Sequence, residues 1–188
     1  EGRDHNQCMG VFTRLQLICA LIYFVAVLAL FLTQKYILHY TFENKELEYI
    51  LHKENIKWIP VDLLQYNKTE RSKIFSDILL EEMKADNIDF LFVFGMRILS
   101  GELLNVYKNR IINFHPSILP AFPGIKSIDQ ASSYGSFLYG NTAHIVDNGI
   151  DSGPIIMQNI VPMNEFVDYD YVLDNQIYML HQILQWLV

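Results

Sequence analysis

The sequence predicts an α/β protein in which a parallel sheet is flanked by helices. Strand-like and helix-like segments alternate from residue 36 onward and are joined by short connections. The unbroken apolar run at residues 90–94 is typical of a strand that is buried on both faces. Apolar residues make up 51% of the 188-residue chain, which is enough for one domain with its own core, and we place that domain at residues 36–188.

The elements in the first half of the domain follow from composition and periodicity. Residues 36–42 are rich in β-branched and aromatic side chains, which favours a strand. Residues 44–55 are polar with an apolar stripe, which favours a helix. Residues 57–61 form a short strand, and its proline places it near the edge of a sheet. Asn67 and Glu70 make a cap-like start for the next helix.

The second half continues the alternation. The apolar run after Asp89 forms a strand at 89–94, and the strand before Pro116 ends at that proline because proline cannot donate to the ladder. The remaining predicted elements are a helix at 98–107, a strand at 110–115, a helix at 127–134, strands at 141–146 and 155–161, and an apolar helix at 169–188.

The N-terminal segment differs in composition from the rest of the chain. Within residues 15–32 the only strongly polar side chain is Gln16, and a helix over this range would be roughly 27 Å long, close to the hydrocarbon thickness of a bilayer. We therefore expect residues 1–35 to be an extension with an apolar helix that could anchor the chain in a membrane. The alternative is a soluble domain whose first strand and helix were lost through a shift of reading frame.

Charge and cysteine content narrow the class of protein. The net charge of −7 argues against nucleic-acid binding, because phosphate contacts need a basic face. Cys8 and Cys19 are the only cysteines and both precede the predicted domain, so a disulfide framework is excluded there. This favours a reducing, cytoplasmic location for the domain. The sequence has no metal-ligand spacing, and the expected partners are small molecules.

The most informative stretch is the end of the strand at 110–115. Asn113 and His115 are two residues apart, so both side chains leave the same face of the strand, while Phe114 points into packing. Ligands of open parallel sheets bind outside the carboxyl ends of the strands. An amide and an imidazole are thus expected side by side at a ligand site.

These side chains suit acyl transfer to an amine. Asn113 can donate an N–H group to the carbonyl oxygen on which negative charge develops. His115 can take and return a proton near neutral pH. A carboxylate that orients the imidazole is available as Asp147 or Asp151, and we favour Asp151 because Gly153 beyond it allows close approach to a ligand. By spacing alone, a structural role for these residues is the more frequent outcome.

The combined motifs resemble the phosphoribosylglycinamide formyltransferase family. The matching segments are Met96–Ser100, Asn113–Gly124 and His144–Gln158. The resemblance covers roughly residues 36–188 and implies a Rossmann-like, mostly parallel sheet. It also implies 10-formyltetrahydrofolate as the formyl donor and a catalytic trio of Asn113, His115 and Asp151.

The resemblance further implies the surroundings of this trio. A folate pocket would be formed by two short segments whose backbone groups bind the pterin edge, with His144 and Ser117 supporting the site from behind and no metal. The pocket residues are Met96, Arg97, Ile98, Leu99, Asp147, Asn148, Gly149 and Ile150.

Two departures from the family pattern concern the amine acceptor. Family members begin with a glycine-serine-asparagine loop that holds the substrate phosphate, whereas residues 15–32 contain no glycine. Gln176 stands where a glutamate would contact the substrate ribose. Three hypotheses therefore stay open: formylation of glycinamide ribonucleotide in purine biosynthesis, N-formylation of an amino sugar nucleotide, and a catalytically impaired folate-binding remnant.

Overall fold

The structure is a computed structural model, and it divides into two compact units, 1–65 and 66–188. The predicted apolar helix at 15–32 lies outside the described residues, as do most of the predicted elements at 36–42 and 44–55. No helix of the described part of the chain is long and apolar enough to cross a membrane. The described residues are 37–38, 52–53, 57–59, 61–94, 97–161 and 169–187.

The described residues of the first unit include a pair of short strands. Strand β1 (Ile37–Leu38) runs parallel to β2 (Lys57–Trp58). Residues 52–53, between these strands, have helical backbone conformation. A parallel pair needs a crossover connection, and the helical conformation between the two strands fits the predicted strand–helix–strand order.

The second unit contains the remaining elements. The strand at 155–161 and the helix at 127–134 have the predicted bounds, and the other elements differ by a few residues at their ends. In chain order they are α1 (Arg71–Ala85), β3 (Leu91–Val93), α2 (Glu102–Val106), β4 (Ile111–His115), α3 (Ser127–Tyr134), β5 (Tyr139–Ile145), β6 (Ile155–Val161) and α4 (Tyr169–Leu187).

The sheet of the second unit has the strand order β3-β4-β5-β6. β3 and β4 are parallel and are connected through α2, whereas β5 runs antiparallel to both β4 and β6. β5 and β6 are joined by a loop alone, which suits only an antiparallel pair. The predicted α/β class is confirmed, and the antiparallel direction of β5 is a feature that apolar patterning does not determine.

Two helix starts differ from the sequence predictions. α2 begins at Glu102 rather than at residue 98, because Gly101 has a positive φ of 74° and breaks the helical run. At α1, Asn67 donates from its side-chain amide to Glu70, and neither side chain caps the helix N-terminus. Residues 97–100 therefore form a loop after β3.

Helix α4 packs on β5 and β6 through an apolar face that includes Val172 and Met179. Gln176 on this face is 5% exposed and donates from Nε2 to the carbonyl oxygen of Phe114 and to Oδ1 of Asn141. The Gln176 side chain is therefore enclosed between the helix and the sheet, and its equivalence with a ribose-binding glutamate stays a prediction.

Candidate active site

Asn113 and His115 project from the same face of β4, as the two-residue period requires. On the opposite face, Phe114 is buried and stacks on Phe94 with ring centroids 4.4 Å apart. The carbonyl oxygen of Phe114 also accepts the hydrogen bond from α4. The packing of Phe114 thus holds β4 in place, with Asn113 and His115 on the other face of the strand.

The antiparallel register places His144 of β5 directly opposite Asn113 of β4. Directly opposed side chains on one face of a sheet have neighbouring Cβ atoms. Accordingly, Nδ2 of Asn113 lies 3.2 Å from Nε2 of His144. The His144 ring is 2% exposed, and its Nδ1 lies 3.0 Å from the carbonyl oxygen of Ile145.

Asp151 reaches this face through a loop that folds back over the sheet. Because β5 is antiparallel to β4, the loop leaves beside the start of β4, where Val146 N–H donates to the carbonyl oxygen of Ile111 at 2.9 Å. Gly153 is needed for the return, since a Cβ at that position would overlap the carbonyl oxygen of Ile145. The close neighbour of Gly153 is thus strand backbone, and its role in close approach to a ligand stays a prediction.

The Asp151 carboxylate lies between both histidines and a second loop. Oδ2 is 3.3 Å from Nδ1 of His115 and accepts a 2.7 Å hydrogen bond from the N–H group of Gly124. Oδ1 is 3.5 Å from Nε2 of His144. The side chain of Asp151 is 14% exposed, so these contacts form in a largely desolvated site where charge interactions are strong.

The second nitrogen of His115 is held by the loop after β4. Nε2 lies 3.0 Å from the carbonyl oxygen of Phe122, and a carbonyl can only accept, so Nε2 carries a proton. The contact between Nδ1 and Asp151 then needs one further proton, carried by either the imidazole or the carboxyl group. His115 and Asp151 together form a site at which a proton can be taken up and released.

Loop 116–124 owes its shape to buried polar contacts. The Ser117 hydroxyl donates to the carbonyl oxygen of Ala121 at 2.7 Å. The Thr142 hydroxyl donates to the carbonyl oxygen of Ser117, also at 2.7 Å. Gln158 donates from Nε2 to the carbonyl oxygen of Leu119 at 2.8 Å. Ser117 therefore supports the loop that holds His115.

Sequence patterns do not identify four of these supporting groups. The Phe122 carbonyl and the Gly124 N–H are backbone groups, and the side chains of Thr142 and Gln158 act from strands that pair only in the fold. The sequence signal for these groups is the proline- and glycine-rich composition of segment 118–124. In the structure, Phe122 and Gly124 of this segment have positive φ values. Such a composition indicates a tightly turned loop, but it does not show that the loop contacts His115 and Asp151.

The first predicted folate segment follows β3. Met96 lies outside the described residues. Arg97 is exposed, with its guanidinium 5.8 Å from the ring centroid of Phe75, and Ile98 is 58% exposed. Leu99 is buried, so only its backbone could face a ligand. The N–H group of Ser100 donates a 2.9 Å hydrogen bond to the hydroxyl of Ser76 on α1.

The second predicted folate segment is the exposed turn at 147–150. Asp147 accepts 2.9 Å hydrogen bonds at Oδ1 from the Gly149 N–H group and from the Ser152 hydroxyl. Its carboxylate is thus used to build the turn, whereas Asp151 reaches the two histidines. Ile150 is 63% exposed and offers an apolar surface beside the site.

A cavity of about 280 Å³ lies beside loop 116–124. Pro116, Ser117 and Phe122 are among its lining residues, while Asn113, His115 and Asp151 are not. In the part of the chain that the structure describes, no group of three or more histidine, cysteine or acidic side chains could hold a metal ion.

The sequence matches a protein family over most of its length. The model of the family described as Formyl transferase matches residues 34–179. Phosphoribosylglycinamide formyltransferase of Bacillus subtilis is 37% identical over 108 residues, which are 57% of this chain and 55% of that protein. Formyltetrahydrofolate deformylase of Haemophilus influenzae is 38% identical over 114 residues, which are 60% of this chain and 39% of that protein.

Solved structures share the fold. The crystal structure of phosphoribosylglycinamide formyltransferase from Bacillus halodurans is similar, with a TM-score of 0.63 and 33% identity, over 79% of this chain and 75% of that one. The chain spans roughly half or less of the length of the two curated relatives. Because the family match covers most of the sequence, the chain belongs to the formyl transferase family.

Proposed function

We propose that the chain transfers a formyl group from 10-formyltetrahydrofolate to the primary amine of glycinamide ribonucleotide, a step of purine biosynthesis. The observation that carries the proposal is the contact of Asp151 with His115 beside Asn113 on one face of β4. The formyltransferase domain would begin near residue 36, after an extension of residues 1–35. The start of the family match at residue 34 supports this boundary.

The proposed reaction needs one bond to form and one to break. The amine nitrogen attacks the formyl carbon, the bond from that carbon to N10 of the folate breaks, and one proton passes from the amine to N10. Asn113 donates an N–H group to the oxygen of the tetrahedral intermediate. His115 carries the proton, and the Asp151 carboxylate stabilises the imidazolium that forms.

The folate would bind against residues 97–99, which follow β3, and the exposed turn at 147–150. Backbone groups of residues 97–99 and 147–150 would hydrogen-bond the pterin edge. Ile98 and Ile150 are more than half exposed, and their apolar side chains could cover a flat ring system. Asp147 would hold the second segment in shape, because its carboxylate already accepts two hydrogen bonds from the turn.

A second candidate activity is hydrolysis of the formyl donor, with water in place of the amine. The 38% identity to a formyltetrahydrofolate deformylase over 114 residues supports it. Hydrolysis also needs a donor to the oxygen of the tetrahedral intermediate and a carrier for the proton, so Asn113, His115 and Asp151 would keep their roles.

The experiment incubates the full chain with 10-formyltetrahydrofolate and follows the release of tetrahydrofolate. Glycinamide ribonucleotide, an amino sugar nucleotide and buffer alone are compared. Release that requires glycinamide ribonucleotide supports the proposal. Equal release in buffer alone indicates the hydrolase, and release only with the amino sugar nucleotide overturns the choice of acceptor.

A matched variant controls for folding and contamination. His181→Ala alters an exposed histidine of α4 away from the cluster, and we expect its rate to equal that of the original chain. The absence of release with every acceptor, from protein that is folded by circular dichroism, would contradict both activities and favour a folate-binding remnant.

A further inference from the structure

Ser76 is a polar residue on the buried face of helix α1. That face also contains the apolar side chains of Phe75, Leu79 and Met83, and Ser76 itself is 0% exposed. A hydroxyl in such surroundings has lost its hydration, so the protein has to supply its hydrogen-bond partners. The partners of Ser76 therefore show what the hydroxyl does at this position.

The Ser76 hydroxyl is used both as a donor and as an acceptor. Its O–H group donates to the carbonyl oxygen of Ser72, one turn earlier on the same helix, at 2.8 Å. Its oxygen accepts from the N–H group of Ser100 at 2.9 Å. The first contact fixes the direction of the hydroxyl, and the second ties the loop after β3 to α1. Because its proton is already engaged, the hydroxyl suits a supporting role.

Two further contacts hold loop 97–100. The guanidinium of Arg97 lies 5.8 Å from the ring centroid of Phe75, which precedes Ser76 in α1. The side chain of Leu99 is buried. These two contacts act on side chains, whereas the contact from Ser76 acts on the main chain of the loop. Ser76 therefore has the most direct influence on the path of the backbone.

Loop 97–100 follows the end of β3 that lies beside Asn113. β3 and β4 are parallel, and Val93 of β3 is paired with Asn113 of β4. The carboxyl ends of neighbouring parallel strands meet at one edge of the sheet, which is where ligands of such sheets bind. The backbone of the loop is thus set by β3 on one side and by Ser76 on the other.

We propose that Ser76 is a positioning residue for the formyl donor and holds the main chain of residues 97–99 in the conformation that binds the pterin edge. The inference rests on the proposed function, which assigns these main-chain groups to the folate. Ser76 is fully buried and acts through the N–H group of Ser100. Without the hydroxyl the loop populates other conformations, and the apparent affinity for the folate falls with the fraction that can bind it.

The effect is expected on binding of the folate and not on the chemical step. The pterin edge takes no part in the bonds that form or break, so its contacts are equally strong in the bound substrate and in the transition state. Losing such contacts raises KM and leaves kcat unchanged. In Ser76→Ala we expect KM for 10-formyltetrahydrofolate to rise about three- to tenfold, the range for one hydrogen bond, with kcat within about twofold. A fall in kcat at unchanged KM would contradict the inference.

Two variants of α1 separate this role from a general loosening of the helix. Ser72→Ala removes a hydroxyl one turn earlier and leaves the Ser72 carbonyl that accepts from Ser76. Met83→Val shortens a buried side chain about two turns beyond Ser76 and lowers the stability of the same helix. We expect both variants to keep the original KM for the folate. A rise with Met83→Val as large as that with Ser76→Ala would show that helix stability alone is responsible.

Hydrogen exchange and binding test the two steps of the inference separately. In the full chain without ligand, NMR follows exchange of the Ser100 N–H group, which should be faster in Ser76→Ala and unchanged in Ser72→Ala. Calorimetric titration with tetrahydrofolate should give a Kd about three- to tenfold higher in Ser76→Ala. An unchanged exchange rate or an unchanged Kd in Ser76→Ala would overturn the inference. Failure of the unmodified chain to bind tetrahydrofolate would instead contradict the proposed function.

Discussion

Asp147 and Asp151 are four residues apart in one loop, yet the fold uses them differently. Asp147 binds the N–H group and hydroxyl of its own turn at the exposed end. Asp151, with a positive φ of 50°, turns inward to His115, His144 and the N–H group of Gly124. A carboxylate that is satisfied within its turn shapes the loop, and one that faces two imidazoles can take part in proton transfer.

The largest expected effect on kcat comes from removing the imidazole of His115, which Asp151 contacts through Oδ2. His115→Ala should lower kcat for formyl transfer about 10²- to 10⁴-fold, because the proton carrier is lost. Steady-state kinetics with saturating folate measure it, with His181→Ala as the control. A loss smaller than tenfold in folded protein would remove His115 from the mechanism.

Asp151→Asn tests the inward end of the loop while keeping the shape of the side chain. Loss of the charged partner of His115 should raise the barrier by about 1.5–3 kcal/mol, the range for hydrogen bonds to charged groups. This corresponds to a decrease of about ten- to a hundredfold in kcat. An unchanged kcat would show that the contact between Asp151 and His115 has no catalytic role.

Thr142→Val tests the support of loop 116–124. The hydroxyl of Thr142 is buried, accepts from the Leu119 N–H group and donates to the Ser117 carbonyl. Its loss leaves two buried backbone groups unsatisfied and should lower the free energy of unfolding by about 1–3 kcal/mol. Urea titrations measure this loss, and a midpoint equal to that of the original chain would refute the stated role.

The smallest expected effect is that of Asp147→Asn at the outward end of the loop. The amide oxygen still accepts from the turn, so kcat should stay within about threefold, with a modest rise in KM for the folate. If Asp147→Asn lowers kcat as much as Asp151→Asn, the two carboxylates do not have distinct roles.

The sequence predicted those parts of the cluster that depend on the side chains of a single segment. The period of two placed Asn113 and His115 on one face, and Pro116 marked the end of β4. The contacts of Asp151 with the histidines agree with the choice of Asp151 over Asp147, whereas the close approach of Gly153 to the backbone of β5 was not predicted. These inferences needed only the geometry of one strand and one loop.

The remaining features depend on pairing between segments. Only the antiparallel register of β4 and β5 brings His144 opposite Asn113, and apolar patterns do not fix strand direction. The Phe122 carbonyl and the Gly124 N–H have no residue-specific signature. The burial of Gln176 was not predicted, because one glutamine in an amphipathic helix does not show which face it occupies.

The most direct test follows the formyl carbon itself. 10-Formyltetrahydrofolate labelled with ¹³C at the formyl group is mixed with glycinamide ribonucleotide and the full chain, and ¹³C NMR records where the label goes. We expect the label on the glycinamide nitrogen, forming more slowly with Asp151→Asn and at nearly the original rate with Asp147→Asn. Label that appears as formate, or that stays on the folate, would contradict the account.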